Sequence, residues 1–257
     1  MRTTNAHLRE ATMDLSTGAW RDALGLREGE APRAVLLEGT WWERNAHALR
    51  LPKLEDVREL QFPGWMFGRY HGTDVVYVCA YGAPKAVEPV HVLEQVGVKL
   101  AIQIGSCGGL TRQVRTGDMV VPNAAIVGEG ASPYYGVHDV ALATPRWAQQ
   151  ATQRLAARGY TVVNGPHLTT SALFQQPPAT VQAWNAAGYT SVDMETSAVY
   201  AAARSFGLDA VSLLYVWDEL LDGRGFLATF SDEEVRRQQK ANETTFDVAL
   251  DLVEMIS

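Results

Sequence analysis

Two acidic clusters carry the chemistry of this chain. Asp193-Met194-Glu195 stands at the entrance to a small-residue helix, and Asp218-Glu219 ends the apolar strand that follows. Carboxylates at the C-terminal edges of neighbouring strands lie where open α/β sheets build ligand sites. One carboxylate can accept hydrogen bonds from the vicinal hydroxyls of a sugar, while another supplies a proton. A third block, Gly105-Ser106-Cys107-Gly108-Gly109, follows an apolar strand over 100–104 and offers backbone N–H groups to an anion.

The elements that must hold these residues are legible as alternating strands and helices. Apolar runs at 34–37, 75–80, 100–104, 118–122, 161–164, 190–192 and 210–216 read as strands. Helical spacing appears over 87–96, 145–158 and 196–206, and Ser231 with Glu234 has the spacing of a capping box that starts the last helix. The fold class expected is a single α/β domain over 1–257, a central twisted mixed sheet flanked by helices. Residues 1–30 are polar and irregular and read as an arm packed on the domain or on a neighbour. Loops are expected at 175–178 and 222–225.

Composition bounds the function. The chain has 257 residues, 47% of them hydrophobic, enough for one large core. A net charge of −7 leaves no basic footprint for nucleic acid. The two cysteines, Cys79 and Cys107, lie in or beside apolar strands and imply no disulfide framework. No apolar stretch reaches membrane-spanning length and no leader pattern opens the chain, so it reads as cytoplasmic.

The stretch GVKLAIQIGSCGGLTRQVRTGDMVVP together with SVDMETSAVYAAARSFG resembles the trimeric and hexameric branch of the nucleoside phosphorylases, a superfamily of purine and uridine phosphorylases and nucleosidases. The resemblance runs from about His7 to the last helix. It implies that Glu195 and Met194, with Asp193 beside them, hold the ribose and that Asp218 protonates the leaving purine. It further implies that Phe174 packs on the base, and that His7 reaches the sugar's 5′ end in a neighbouring subunit. Arg58 matches a cation donated across a dimer, so a homodimer or a hexamer built of dimers is expected. The uridine branch reads its base with a glutamine and an arginine; Pro178 and Thr180 stand there, which favours purine. No cofactor or metal is implied. The plainer reading of Asp193 and Glu195 is electrostatic preference for a helix N-terminus.

The anion pocket departs from the family pattern. Gly39 keeps the family's glycine, but in the ungapped register, which Ala48 and Leu51 support, Glu43 and Gln103 stand where two phosphate-binding arginines are expected. A one-residue slip restores Arg44 in place of Glu43, and Ser106 and Gly105 remain. Arginine pairs with phosphate bidentately, whereas a carboxylate repels it. The nucleosidase branch lacks these arginines and uses a glutamate to activate water, which assigns Glu43 as base. The sequence therefore points to cleavage of a nucleoside's N-glycosidic bond with water as the favoured acceptor. A phosphate-dependent purine or uridine phosphorylase is the alternative, and a non-catalytic nucleoside-binding protein is the reading of another class.

Overall fold

A computed structural model describes residues 15–256. Among the described residues twelve strands form one mixed sheet: β1 (Ala34–Gly39), β2 (Glu55–Glu59), β3 (Trp65–Tyr70), β4 (Thr73–Cys79), β5 (Leu100–Gly109), β6 (Met119–Val120), β7 (Ala124–Gly128), β8 (Val140–Leu142), β9 (Val162–Val163), β10 (His167–Thr170), β11 (Ser191–Asp193) and β12 (Asp209–Glu219). Among the described residues seven α-helices flank it: α1 (Thr17–Leu24), α2 (Glu43–Arg50), α3 (Ala83–Glu94), α4 (Pro145–Ala157), α5 (Pro178–Ala186), α6 (Thr196–Phe206) and α7 (Asp232–Val253). The expected single α/β domain is what is found.

The sheet runs β2-β3-β4-β1-β5-β11-β10-β7-β8, with β12, β6 and β9 branching from β5. β5 pairs in parallel with β1 and β12 and antiparallel with β11, and so organises the centre. Val35, Leu36, Ile102 and Leu213 are buried, as strands covered on both faces require. On one side α6 is almost wholly interior, and Ala198 with Ala201 to Ala203 lets it approach the sheet closely. α7 begins with the predicted box: the Glu234 N–H donates to Ser231 Oγ (3.3 Å) and the Ser231 N–H donates to Glu234 Oε2 (2.7 Å).

Three expectations change. The 105–109 block does not follow the strand with free N–H groups but continues it, because β5 runs through Gly109 and its backbone is committed to β12 and β11. Gly108 explains the small residues there: a Cβ would fall 2.6 Å from Leu220 Cδ1 and 2.9 Å from Asp218 Oδ1. Within the predicted arm, 17–24 is a helix capped by Ser16, with Trp20 and Leu24 buried against the core. The loop foreseen at 175–178 gives way to α5 at Pro178, a residue suited to a first helical turn. His7 lies outside the described residues.

β12 contains a decisive irregularity. Val216 pairs with Cys107 and Asp218 with Gly108, so Trp217 is an extra residue, a bulge. Strict alternation would send Asp218 to the face opposite Tyr215. The bulge returns it to the face of Tyr215 and Ser106.

Candidate active site

A cavity of about 360 Å³ opens at the C-terminal ends of β1, β5 and β12. Gly39, Gly105, Ser106, Met194, Glu195 and Asp218 all line it, so six of the residues singled out in the sequence converge on one space.

Glu195 stands at the N-cap of α6 and is buried. The Gly82 N–H donates to its Oε1 at 2.6 Å. Gly39 has to be glycine because a Cβ there would lie 2.8 Å from Glu195 Oε2. Burial, and then the negative charge of Asp193, push the Glu195 carboxyl up to about 8, against the bond from Gly82. Met194 forms the adjoining wall, and the Tyr81 hydroxyl donates to its Sδ at 3.1 Å.

Asp218 is also buried, and burial pushes its carboxyl up to about 7, with Glu219 adding a smaller upward push against a backbone hydrogen bond. A carboxyl that still holds its proton near neutrality is suited to donate it. Glu219 faces elsewhere: its oxygens accept from Arg115 Nη1 (3.0 Å) and the Thr116 N–H (2.9 Å).

Asp193 and Gln103 are not in the cavity. Gln103 Nε2 donates to Asp193 Oδ2 at 2.9 Å, and Gln103 Oε1 accepts from the hydroxyl of Thr196 at 2.7 Å. His167 Nε2 lies 2.9 Å from Asp193 Oδ1, off the line of a good hydrogen bond. Burial alone would raise the Asp193 carboxyl, but His167 and the bonds from Thr196 and Gln103 bring it below its ordinary value. The pair is buried, and neither residue lines the cavity.

Glu43 is likewise outside. It is the first residue of α2, half-exposed, 4.0 Å from His47 Nε2, with its Oε1 turned toward Gly64. A carboxylate in a first helical turn is favoured by the helix dipole, which is the simpler account of it. Arg58 is held within its own chain by Glu30, by the Gly25 carbonyl (3.1 Å) and over the Phe67 ring (5.1 Å). Phe174 sits at the rim, 69% exposed, its ring 5.9 Å from Trp41 and 6.4 Å from Phe226; the lining beside it is Leu173 and Gln176.

Sequence reasoning missed an aromatic wall. Trp41 lies 5.1 Å from Tyr81 and 5.3 Å from Phe226, and Trp42 stacks on Trp217 at 6.4 Å. Flat faces of this kind suit a planar heterocycle. Two adjacent tryptophans, separated by one residue from the strand-ending Gly39, were a usable signal. Glu38, buried at the end of β1, also lines the cavity and was equally visible as an acid in an apolar strand. No lysine, arginine or histidine lines the cavity among the described residues.

The phosphorylase superfamily model matches residues 58–254, about three quarters of the chain. The chain belongs to that superfamily. Among similar proteins, a DeoD-type purine nucleoside phosphorylase from Caldanaerobacter subterraneus is 27% identical over 236 residues, covering 89% of this chain and 98% of that protein. A guanosine phosphorylase from Halorubrum lacusprofundi is 31% identical over 176 residues, covering 67% and 72%. The crystal structure of a uridine phosphorylase from Vibrio fischeri superposes with a TM-score of 0.74 at 20% identity, covering 88% and 92% of the two chains, and shows the same fold. In this phosphorylase-superfamily chain no described helix is long and apolar enough to cross a membrane. No group of three or more His, Cys, Asp or Glu among the described residues could hold a metal.

Proposed function

We propose that this superfamily member cleaves the N-glycosidic bond of purine nucleosides with phosphate as acceptor. The observation that carries the bond cleavage is the pairing, in one cavity, of a proton-bearing Asp218 with a buried Glu195. Glu195 accepts hydrogen bonds from the ribose hydroxyls. The C1′–N bond breaks with its electron pair passing to the base, and Asp218 gives its proton to the purine ring nitrogen that would otherwise carry the charge. A phosphate oxygen then bonds to C1′, yielding ribose 1-phosphate.

The exposed setting of Glu43 removes the base on which hydrolysis was argued, and the relatives carry phosphorylase names. One observation favours water as a second reading: the cavity wall holds carboxylates and no cation. Guanosine incubated with and without phosphate separates the two. Ribose 1-phosphate formed only with added phosphate supports the proposal; free ribose in phosphate-free buffer would replace it with hydrolysis. Binding without any free base would leave a non-catalytic protein.

The same assignment predicts a pH profile. Asp218 must be protonated and Glu195 ionised, with carboxyls at about 7 and about 8. Activity should therefore form a bell centred near pH ~7.5. Only about one enzyme in 20 is in the correct double state at that maximum, because the acid titrates below the base. A profile rising monotonically to pH ~10 would remove Asp218 as acid.

A further inference from the structure

We propose that Arg50 is the cation that binds the acceptor anion. The inference rests on the phosphate reading above, and it concerns a residue that matches neither of the family's two arginine positions in this sequence.

Register places it. β1 pairs Glu38 with Ile104, and β12 pairs Tyr215 with Ser106. Alternation along β5 then puts Ile104 and Ser106 on one face and Gln103 on the other. Glu38, Ser106 and Tyr215 thus share the face that α2 and α7 cover, which is why Gln103 is turned away from the cavity and toward Asp193. Arg50, the last residue of α2, is fully buried on that covered side.

Its partners are walls of the cavity. Arg50 Nε and Nη2 donate to Glu38 at 2.9 and 3.0 Å, and Nη2 also donates to Asn242 Oδ1. Glu38 and Asn242 both line the space. The guanidinium stacks 5.2 Å from the Phe246 ring centre. Nη1 is buried and has no hydrogen-bond partner. A charged donor left unmet inside a protein is costly, and an anion admitted between Glu38 and Asn242 would give Nη1 the acceptor it lacks.

A purely structural ion pair would not need this arrangement. Buried pairs are often replaceable by apolar side chains with little loss of stability. Here Glu38 of the pair stands one residue before Gly39 and lines the same space as Ser106. Glu38 accepts a third bond, from the Tyr77 hydroxyl at 2.6 Å, so it stays fixed on the guanidinium and partly masks its charge. That masking gives the proposal a direction: removing the carboxylate charge should strengthen anion binding, and removing the pair should weaken it.

The test is titration calorimetry of inorganic phosphate into the full chain, with the phosphate KM measured alongside using guanosine. The paired change Glu38→Met with Arg50→Met leaves no lone buried charge. It should retain a cooperative melt while weakening phosphate about tenfold or more. Glu38→Gln, which keeps the shape of the site, should bind phosphate more tightly than the parent. Should that single variant fail to fold, the double variant decides. Unchanged phosphate affinity in the folded double variant overturns the proposal, as does an unmodified protein that binds no phosphate at millimolar concentration. Arg50-dependent phosphate binding with free ribose as the only sugar product would leave this inference standing and remove the phosphorylase reading. Ribose 1-phosphate as product, with affinity indifferent to Arg50, would do the reverse.

Discussion

Asp218→Asn should lower turnover of natural purine nucleosides by about 100-fold or more while leaving nucleoside binding within a few-fold. The amide fills the same space and has no proton to give when the C1′–N bond breaks. Nucleosides whose base leaves readily without protonation should lose far less, because the barrier Asp218 lowers is small for them. The alkaline limb of the pH profile should disappear with the carboxyl, since that limb reports loss of the Asp218 proton and, with the acid at about 7 and the base at about 8, falls near pH ~8. Unchanged turnover in the Asn variant, or a retained alkaline limb, would assign the acid elsewhere.

How Asp218 comes to be in position was not legible in the sequence. The strand and its acidic end were, because the run from Ala210 to Val216 is apolar but for Ser212. The bulge at Trp217 was not, since it exists only as a mismatch between β12 and β5, and neither strand encodes it alone. The same holds for Gln103. Its place two residues before Gly105 suggested the anion pocket, but the pleat sends it to the buried side, where it holds Asp193.

Elements with their own pattern were readable, and those defined by neighbours were not. α6 and α7 announce themselves by small-residue packing and a capping box. β2, Glu55–Glu59, is an edge strand of mostly exposed charged residues with no apolar alternation to mark it. Glu43 shows the cost of assigning chemistry by position: the residue matches a catalytic place in the chain, but helix geometry turns its side chain to solvent. Glu38, which joins Glu195 in lining the cavity, sat unremarked in an apolar strand.

Glu195→Ala should cost ribonucleosides about 10- to 150-fold in kcat/KM, the equivalent of about 1.5–3 kcal/mol for hydrogen bonds to a charged group. The corresponding 2′-deoxyribonucleosides, which make one such bond fewer, should lose distinctly less. Equal losses on both sugars would make Glu195 a structural residue. The raised carboxyl sharpens this further. Near pH ~7 a group at about 8 is mostly protonated, so it offers one good acceptor oxygen and resembles an amide. Glu195→Gln should therefore lie close to the parent enzyme below neutrality and fall behind it above pH ~8, where the parent gains its second full acceptor. Ribonucleoside binding near neutrality should also release a proton, because two hydroxyl donors favour the ionised form. Calorimetry in buffers of different ionisation enthalpy measures that proton directly. A gap between parent and Gln variant that stays constant from pH ~6 to ~9 would show that Glu195 binds sugar without changing its charge.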